Sequence, residues 1–227
     1  MFSPAALTAA VTRRLAEVLA VPGPAAPVLA ATREVLILWE HLTRRFEAAH
    51  PLPTPIACAP GCSFCCYNQV ELTPLEALVL GDFLIARVPA GKLPLLLGAL
   101  KEEKARLQAL RPEELARRRR EFPCPLLVGE HCSVYPVRPL MCRAMHSLDQ
   151  EHCRRSLASP ELLPDRYYQH RHDFALALSR GLREAAAQAG LQAGVLGLTA
   201  ALADVLATPD ALTSWLAGER IFGVWDP

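Results

Sequence analysis

Apolar residues recur at three- and four-residue spacing over residues 3–20 and again over 33–49, where Val35, Leu38, Trp39, Leu42 and Phe46 fall on one face. That period predicts two amphipathic helices. Three prolines within "HPLPTP" (His50 to Pro55) stop the second helix, and a cysteine-rich stretch that must be a loop follows. "TPLE" restarts a helix that runs to about Val88: Thr73 caps it, Pro74 occupies the first turn and Glu76 completes a capping box. A further helix covers "KLPLLLGALKEEKARLQAL", with Pro94 near its start, and "RPEELARRRREF" adds a turn or two. The arginines Arg117 to Arg120 suit the negative end of that helix dipole.

Residues 124–153 break the helical period. Proline, glycine and β-branched residues alternate there, and "VGEH" fits a tight turn between two short strands. From Leu163 onward the pattern is helical again, with Phe174, Leu178, Leu182 and Ala185 on one face, then Ala/Gly-rich helices. A last helix is expected at "TPDALTSWL", with Thr208 as cap and Pro209 in the first turn. No internal repeat and no βαβ alternation is present. The expected fold is mainly α: an irregular helical domain with a small cysteine-rich loop and β-hairpin element holding a metal site. Its segments are N-terminal helices (1–57), a cysteine-cluster region (58–153) with a helical insertion (67–123), and C-terminal helices (154–227) on the same core.

Composition narrows the function classes. The 227 residues are 52% hydrophobic, enough for a core that needs no cross-links. Lys+Arg at 24 against Asp+Glu at 23 argues against bulk attraction to nucleic acid or to an anionic membrane. Arg13, Arg14 and Glu17 interrupt the place where a secretion signal would keep an uncharged core. The uncharged run Ala185 to Ala203 reaches the length of a short membrane span, but its three glycines and two glutamines favour an internal helix pair. A cytoplasmic protein without membrane or nucleic-acid partners is the expectation. In that reducing compartment clustered cysteines are metal ligands rather than disulfides.

All eight cysteines lie between residues 58 and 153: Cys58, Cys62, Cys65 and Cys66 in "CAPGCSFCC", then Cys124, Cys132, Cys142 and Cys153. Thiolates are soft ligands for zinc, copper(I) and iron–sulfur clusters, and short spacings let one loop turn several sulfurs inward. Structural zinc sites pair two C-x2-C knuckles; here C-x3-C-x2-C-C precedes single cysteines eight, ten and eleven residues apart. The triad Cys58, Cys62, Cys65, with Phe64 before its third member, has the spacing of three-cysteine [4Fe–4S] loops. Radical enzymes that use S-adenosylmethionine carry such loops after the first strand of a β/α barrel. No barrel is readable here, so the spacing transfers and that family does not.

"CAPGCSFCC" followed by "CSVYPVRPLMCR" (Cys132 to Arg143) resembles the YkgJ-type cysteine-cluster family, the CxxCxxCC zinc- or iron-chelating domain. The resemblance spans about residues 58–145 and is most specific over the second motif. The chain departs from it in having three residues between its first two cysteines, and Cys153 lies outside it. It implies Cys58, Cys62, Cys65, Cys66, Cys124, Cys132 and Cys142 as ligands, leaves the metal open, and offers one enzymatic lead, because some larger relatives are flagellin lysine-N-methylases. No separate motif for binding a methyl donor is present.

Four thiolates around zinc or an oxidised [4Fe–4S] core carry a charge of about −2, which needs compensation when buried. Arg138 and Arg143 bracket Cys142 and are expected to neutralise and hydrogen-bond the site. Tyr135 is expected to pack over the site or to fill the core. Three histidines, His131, His146 and His152, adjoin cysteines, and His146 would share a face with Cys142 if that segment is helical. "HRH" (His170 to His172) is expected on a solvated helix face. Three functions remain open. One is a metalloprotein, iron–sulfur rather than zinc, for electron transfer, redox sensing or metal handling, with a protein or redox partner. Another is a cluster-dependent protein-modifying enzyme, which requires a pocket beside the Cys58 loop. The third is a structural zinc module for partner binding.

Overall fold

A computed structural model describes residues 3–21, 26–159 and 166–223. Helix α1 (Pro4–Leu19) begins where the Ser3 hydroxyl accepts the Ala6 amide, and α2 (Ala26–Ala49) starts seven residues before the periodic stretch. Pro27 does not prevent this, because the first turn of a helix needs no amide donor. After the cysteine loop come strand β1 (Glu71–Leu72), α3 (Pro74–Arg87), α4 (Leu93–Gln108) and α5 (Pro112–Arg118). Strands β2 (Leu127–Val128) and β3 (His131–Cys132) form the expected hairpin around Gly129 and Glu130, with Gly129 at φ +59° as the turn demands.

The rest of the unpatterned stretch is more helical than its sequence suggests. It contains α6 (Leu140–Ala144) and α7 (Gln150–Ala158), the latter capped by the Asp149 carboxylate accepting the His152 amide. The helical pattern expected from Leu163 falls partly outside the described residues; α8 runs from Gln169 to Gln188. Strand β4 (Leu196–Gly197) pairs antiparallel with β1 and leads into α9 (Leu198–Ala207). The last helix, α10 (Ala211–Leu216), starts later than expected. Thr208 instead closes α9, its hydroxyl donating to Asp204 O at 2.8 Å, and Asp210 precedes α10 in a left-handed conformation.

Among the described residues the chain is mainly helical, and no helix is long and apolar enough to cross a membrane. The uncharged run 185–203 is divided between the end of α8 and the start of α9, with a turn at Gly190 and Gly194 between them.

One apolar cluster runs from Leu7 to Phe222 and draws on all three segments of the chain. Helix α8 is its axis. On one side α1 crosses it closely: Thr8 Oγ1 donates to Ala177 O at 3.0 Å, and Gly181 lies against Val11. On another side α2 is pinned through Glu47, which accepts from Arg171 Nε and Nη2 at 2.7 and 2.8 Å and contacts His170 Nε2 at 2.9 Å. Burial opposes ionisation of Glu47, but the hydrogen bonds from Arg171 and His170 prevail and hold its carboxyl below the usual range. "HRH" is therefore not a solvated face: His170 and Arg171 side chains are only 15% and 17% exposed, because α2 packs over them.

A second close approach joins α3 to α9. A Cβ at Gly81 would lie 2.2 Å from Val205 Cγ1. We expect Gly81→Ala to lower stability by about 1–3 kcal/mol through overpacking. Adding Val205→Ala should make the pair cost less than the sum of the single changes, because it removes the methyl in conflict. A urea-denaturation double-mutant cycle measures this, and strict additivity would contradict the contact.

Candidate metal and thiol site

The first cysteine loop is shaped by its own turn residues and then tied down from a distance. "APGC" makes a turn in which Cys62 N donates to Ala59 O at 3.0 Å, with Gly61 at φ +86°. Proline followed by a residue of positive φ is the signature of a type II turn, which only glycine enters without strain. Residues Phe64–Tyr67 then form a single 3-10 turn that presents Cys65 and Cys66.

Ahead of the loop, Tyr168 clamps the extended segment: its hydroxyl accepts from Thr54 N at 2.9 Å and donates to Thr54 O at 2.6 Å. Ala57 N donates to Ser147 O at 2.9 Å, and Ser147 N donates to the Cys58 sulfur at 3.4 Å.

The second cysteine group is bonded to the first. Cys124 N donates to Cys66 O at 2.7 Å, and the hairpin then carries Cys132 opposite Leu127. Cys142 sits on α6, whose first amide, Leu140 N, donates to Glu76 Oε1 at 2.8 Å. Cys153 comes from α7 and, with Cys58, Cys62 and Cys65, lines a cleft of about 330 Å³. Arg119, His146, Tyr167 and His172 form other parts of the cleft wall.

None of the eight cysteines is in a disulfide. The surroundings of Cys58, Cys65, Cys124, Cys132 and Cys142 favour the thiol over the thiolate. Burial pushes the Cys58 thiol up, with Cys62, Cys65 and Cys153 adding to it and the Ser147 amide opposing. The hydrogen bond with Cys66 pushes Cys65 up, and burial carries Cys124 up to about 11 against amides of Leu126 and Leu127. Cys132 is raised by burial against the Val134 amide and Arg138, while Cys142 is pushed well up by burial and by Cys124, Cys65 and Cys132. Backbone amides thus face four of the sulfurs, those of Cys58, Cys65, Cys124 and Cys132, as they do around metal-bound thiolates. In donor chemistry the set suits a thiophilic metal. Its atoms are gathered without being closed up, for among the described residues no three His, Cys, Asp or Glu side chains are drawn together as ligands of one ion.

The two arginines expected beside Cys142 have different placements. Arg138 lies over the Tyr135 ring, 3.8 Å from its centroid, and its charge favours the thiolates of Cys65 and Cys132. Arg143 turns the other way: Nε donates to Arg138 O at 2.9 Å, Nη2 to Pro136 O at 2.7 Å, and Nη1 pairs with Glu40. Its donors fasten the 135–138 turn rather than solvating a sulfur. Tyr135 is 61% exposed, so it does not fill the core.

The helix that would have aligned His146 with Cys142 ends at Ala144. Both ring nitrogens of His146 are engaged, Nδ1 with Ala144 O at 2.7 Å and Nε2 accepting from Tyr168 N at 2.8 Å. It braces the cleft and has no lone pair left for a metal. Arg119, which the pattern placed only at a helix end, lines the cleft, and Glu76, which it placed only in a capping box, supports α6 behind it. Glu76 is readable as a capping residue, but nothing local announces its reach of 64 positions to Leu140.

Compared with known protein families, with curated proteins and with solved structures, the chain matches none.

Proposed function

We propose that this chain is a cysteine-ligated metalloprotein of the YkgJ-type cysteine-cluster kind, holding an iron–sulfur cluster in preference to zinc. It would act in the reducing cytoplasm in electron transfer, redox sensing or metal handling, with a redox or protein partner. The observation that carries this reading is the gathering of eight cysteines from four separate stretches into one region, four of them with backbone amides directed at the sulfur. Cys58, Cys62, Cys65, Cys66, Cys124, Cys132, Cys142 and Cys153 would supply the ligands, and a bound cluster would supply one-electron chemistry. The chain's own residues orient those ligands. Ser147 steadies Cys58, the hairpin sets Cys132 near Cys124, and Arg138 offsets negative charge on the exposed side.

A second reading is favoured by the cleft. Its volume of about 330 Å³ beside the Cys58 loop gives room for a small molecule next to three of the cluster-loop sulfurs. A protein-modifying enzyme of methyltransferase type needs such an opening; a structural zinc module does not.

Protein purified without oxygen tests the proposal by its absorption spectrum and by elemental analysis for iron, sulfide and zinc. The expected result is a broad band at about 400 nm from sulfur-to-iron charge transfer, with iron and sulfide in equal amounts. Colourless protein with stoichiometric zinc would replace the cluster by a zinc site, and chelation should then unfold the surrounding loops. Protein free of both metals that refuses them on reconstitution would end the metal reading.

A further inference from the structure

Eight thiols are more than one tetrahedral metal needs, and the fold separates them. The adjacent pair Cys65 and Cys66 stands at the division, in the 3-10 turn Phe64–Tyr67. On one side, Cys58, Cys62, Cys65 and Cys153 line the open cleft, two of them exposed and two half-buried. Cys66, Cys124, Cys132 and Cys142 are all half-buried and take no part in that lining. Three of these are joined by backbone: Cys66 O accepts the Cys124 amide, and the β2–β3 hairpin brings Cys132 back beside the strand that follows Cys124. Cys124 and Cys132 pack directly on the apolar core.

We infer that the chain holds two four-thiol metal sites, a cleft site of Cys58, Cys62, Cys65 and Cys153 and an inner site of Cys66, Cys124, Cys132 and Cys142. This rests on the metal-binding reading above. Cys65 stands between the two groups, felt by Cys58 on one side and by Cys124, Cys132 and Cys142 on the other. Cys58 feels Cys62, Cys65 and Cys153, whereas Cys142 feels Cys124, Cys132 and, across the boundary, Cys65. Cys65 and Cys66 touch at that boundary, their side chains hydrogen-bonded to each other, so the two sites adjoin.

The assignment gives Cys153 a role that its position outside the motif does not suggest. It also separates two duties. The inner set ties the hairpin and α6 to the loop, and its metal is structural. The cleft set faces solvent and about 330 Å³ of space, so its metal is the exchangeable, reactive one.

Zinc is the probe, because four thiolates complete its coordination and each site then takes one ion while releasing thiol protons. Full-length apoprotein, reduced and kept anaerobic, is titrated with zinc and weighed by native mass spectrometry. Wild type should take up two zinc ions, and Cys58→Ser with Cys153→Ser should retain one. Cys66→Ser with Cys142→Ser should also retain one, its fold being checked by far-ultraviolet circular dichroism. A chelator should strip the first zinc from wild type at least tenfold faster than the second. The Cys58/Cys153 variant decides even if the inner one fails to fold, since its changes are at the cleft. Uptake of a single zinc by wild type would leave the metal reading standing and overturn the two-site division. So would two zinc ions retained by the Cys58/Cys153 variant. No uptake at all would overturn the metal reading itself, and this inference with it.

Discussion

Replacing Glu76 by alanine is expected to cost about 3–5 kcal/mol, a large share of the stability of a domain this size. The side chain is 2% exposed and accepts three buried hydrogen bonds, each at 2.8 Å: from Thr73 N, Thr73 Oγ1 and Leu140 N. Alanine leaves those donors without acceptor or water, and an orphaned buried donor costs about 1–3 kcal/mol. Against that sum stands the desolvation of the carboxyl itself. Burial pushes Glu76 up even though Leu140 and Thr73 donors favour its ionised form, so deleting it returns part of the loss. Gln at the position keeps one carbonyl oxygen for Leu140 N but turns an amide donor toward the Thr73 amide. About half the loss should remain with Gln. Urea denaturation followed by circular dichroism gives the free energies, and hydrogen exchange at the Leu140 amide locates the damage. A loss under about 1 kcal/mol for the alanine variant would mean that Glu76 is a local cap and nothing more.

That residue marks the limit of what periodicity conveys. Thr73, Pro74 and Glu76 announce a helix start because capping is settled within four residues, and the box is present as written. The hairpin around Gly129 and Glu130 was legible for the same reason. The reach of Glu76 to Leu140 was not, because it depends on α3 and α6 meeting in three dimensions. Helix α7 carried a readable signal in Asp149, three residues before His152, that the surrounding prolines and cysteines obscured. The cysteines marked the region in which the cleft lies. That Cys153 joins Cys58, Cys62 and Cys65 in the wall of one cleft is a tertiary fact: it needs α7 to bring Cys153 across to a loop that is 88 residues away at Cys65. His170 and Arg171 were misjudged because their polarity suggested solvent. Glu47, on a different helix, supplies the partner that lets them be buried.

Arg143 tests whether a cation beside the cysteines acts by charge or by shape. Its side chain is 2% exposed, and its three donors go to Arg138 O, Pro136 O and the Glu40 carboxylate. Burial lowers its pKa and the neighbouring Arg138 charge lowers it further, while Glu40 restores some of the loss, so the position is held by hydrogen bonds against an unfavourable field. A lysine keeps the charge but cannot reach three acceptors in a fixed fork. Arg143→Lys should therefore cost about 2–4 kcal/mol and Arg143→Ala about 3–5, the second figure including the stranded Glu40 carboxylate. That carboxylate side chain is 40% exposed and recovers some solvation, which holds the difference between the two variants small. Arg138→Gln should change stability by no more than about 0.5 kcal/mol, because that guanidinium lies on an exposed tyrosine and makes one 3.3 Å bond to Tyr135 O. It should instead weaken metal retention, since Arg138 is the cation that favours the Cys65 and Cys132 thiolates. Denaturation midpoints on metal-free protein separate the two effects from metal binding. Wild-type stability in Arg143→Lys would show that charge suffices there and that the turn at residues 135–138 holds itself. The expected loss would identify Arg143 as the clamp that fixes the loop between Cys132 and Cys142, leaving Arg138 as the charge the sulfurs sense.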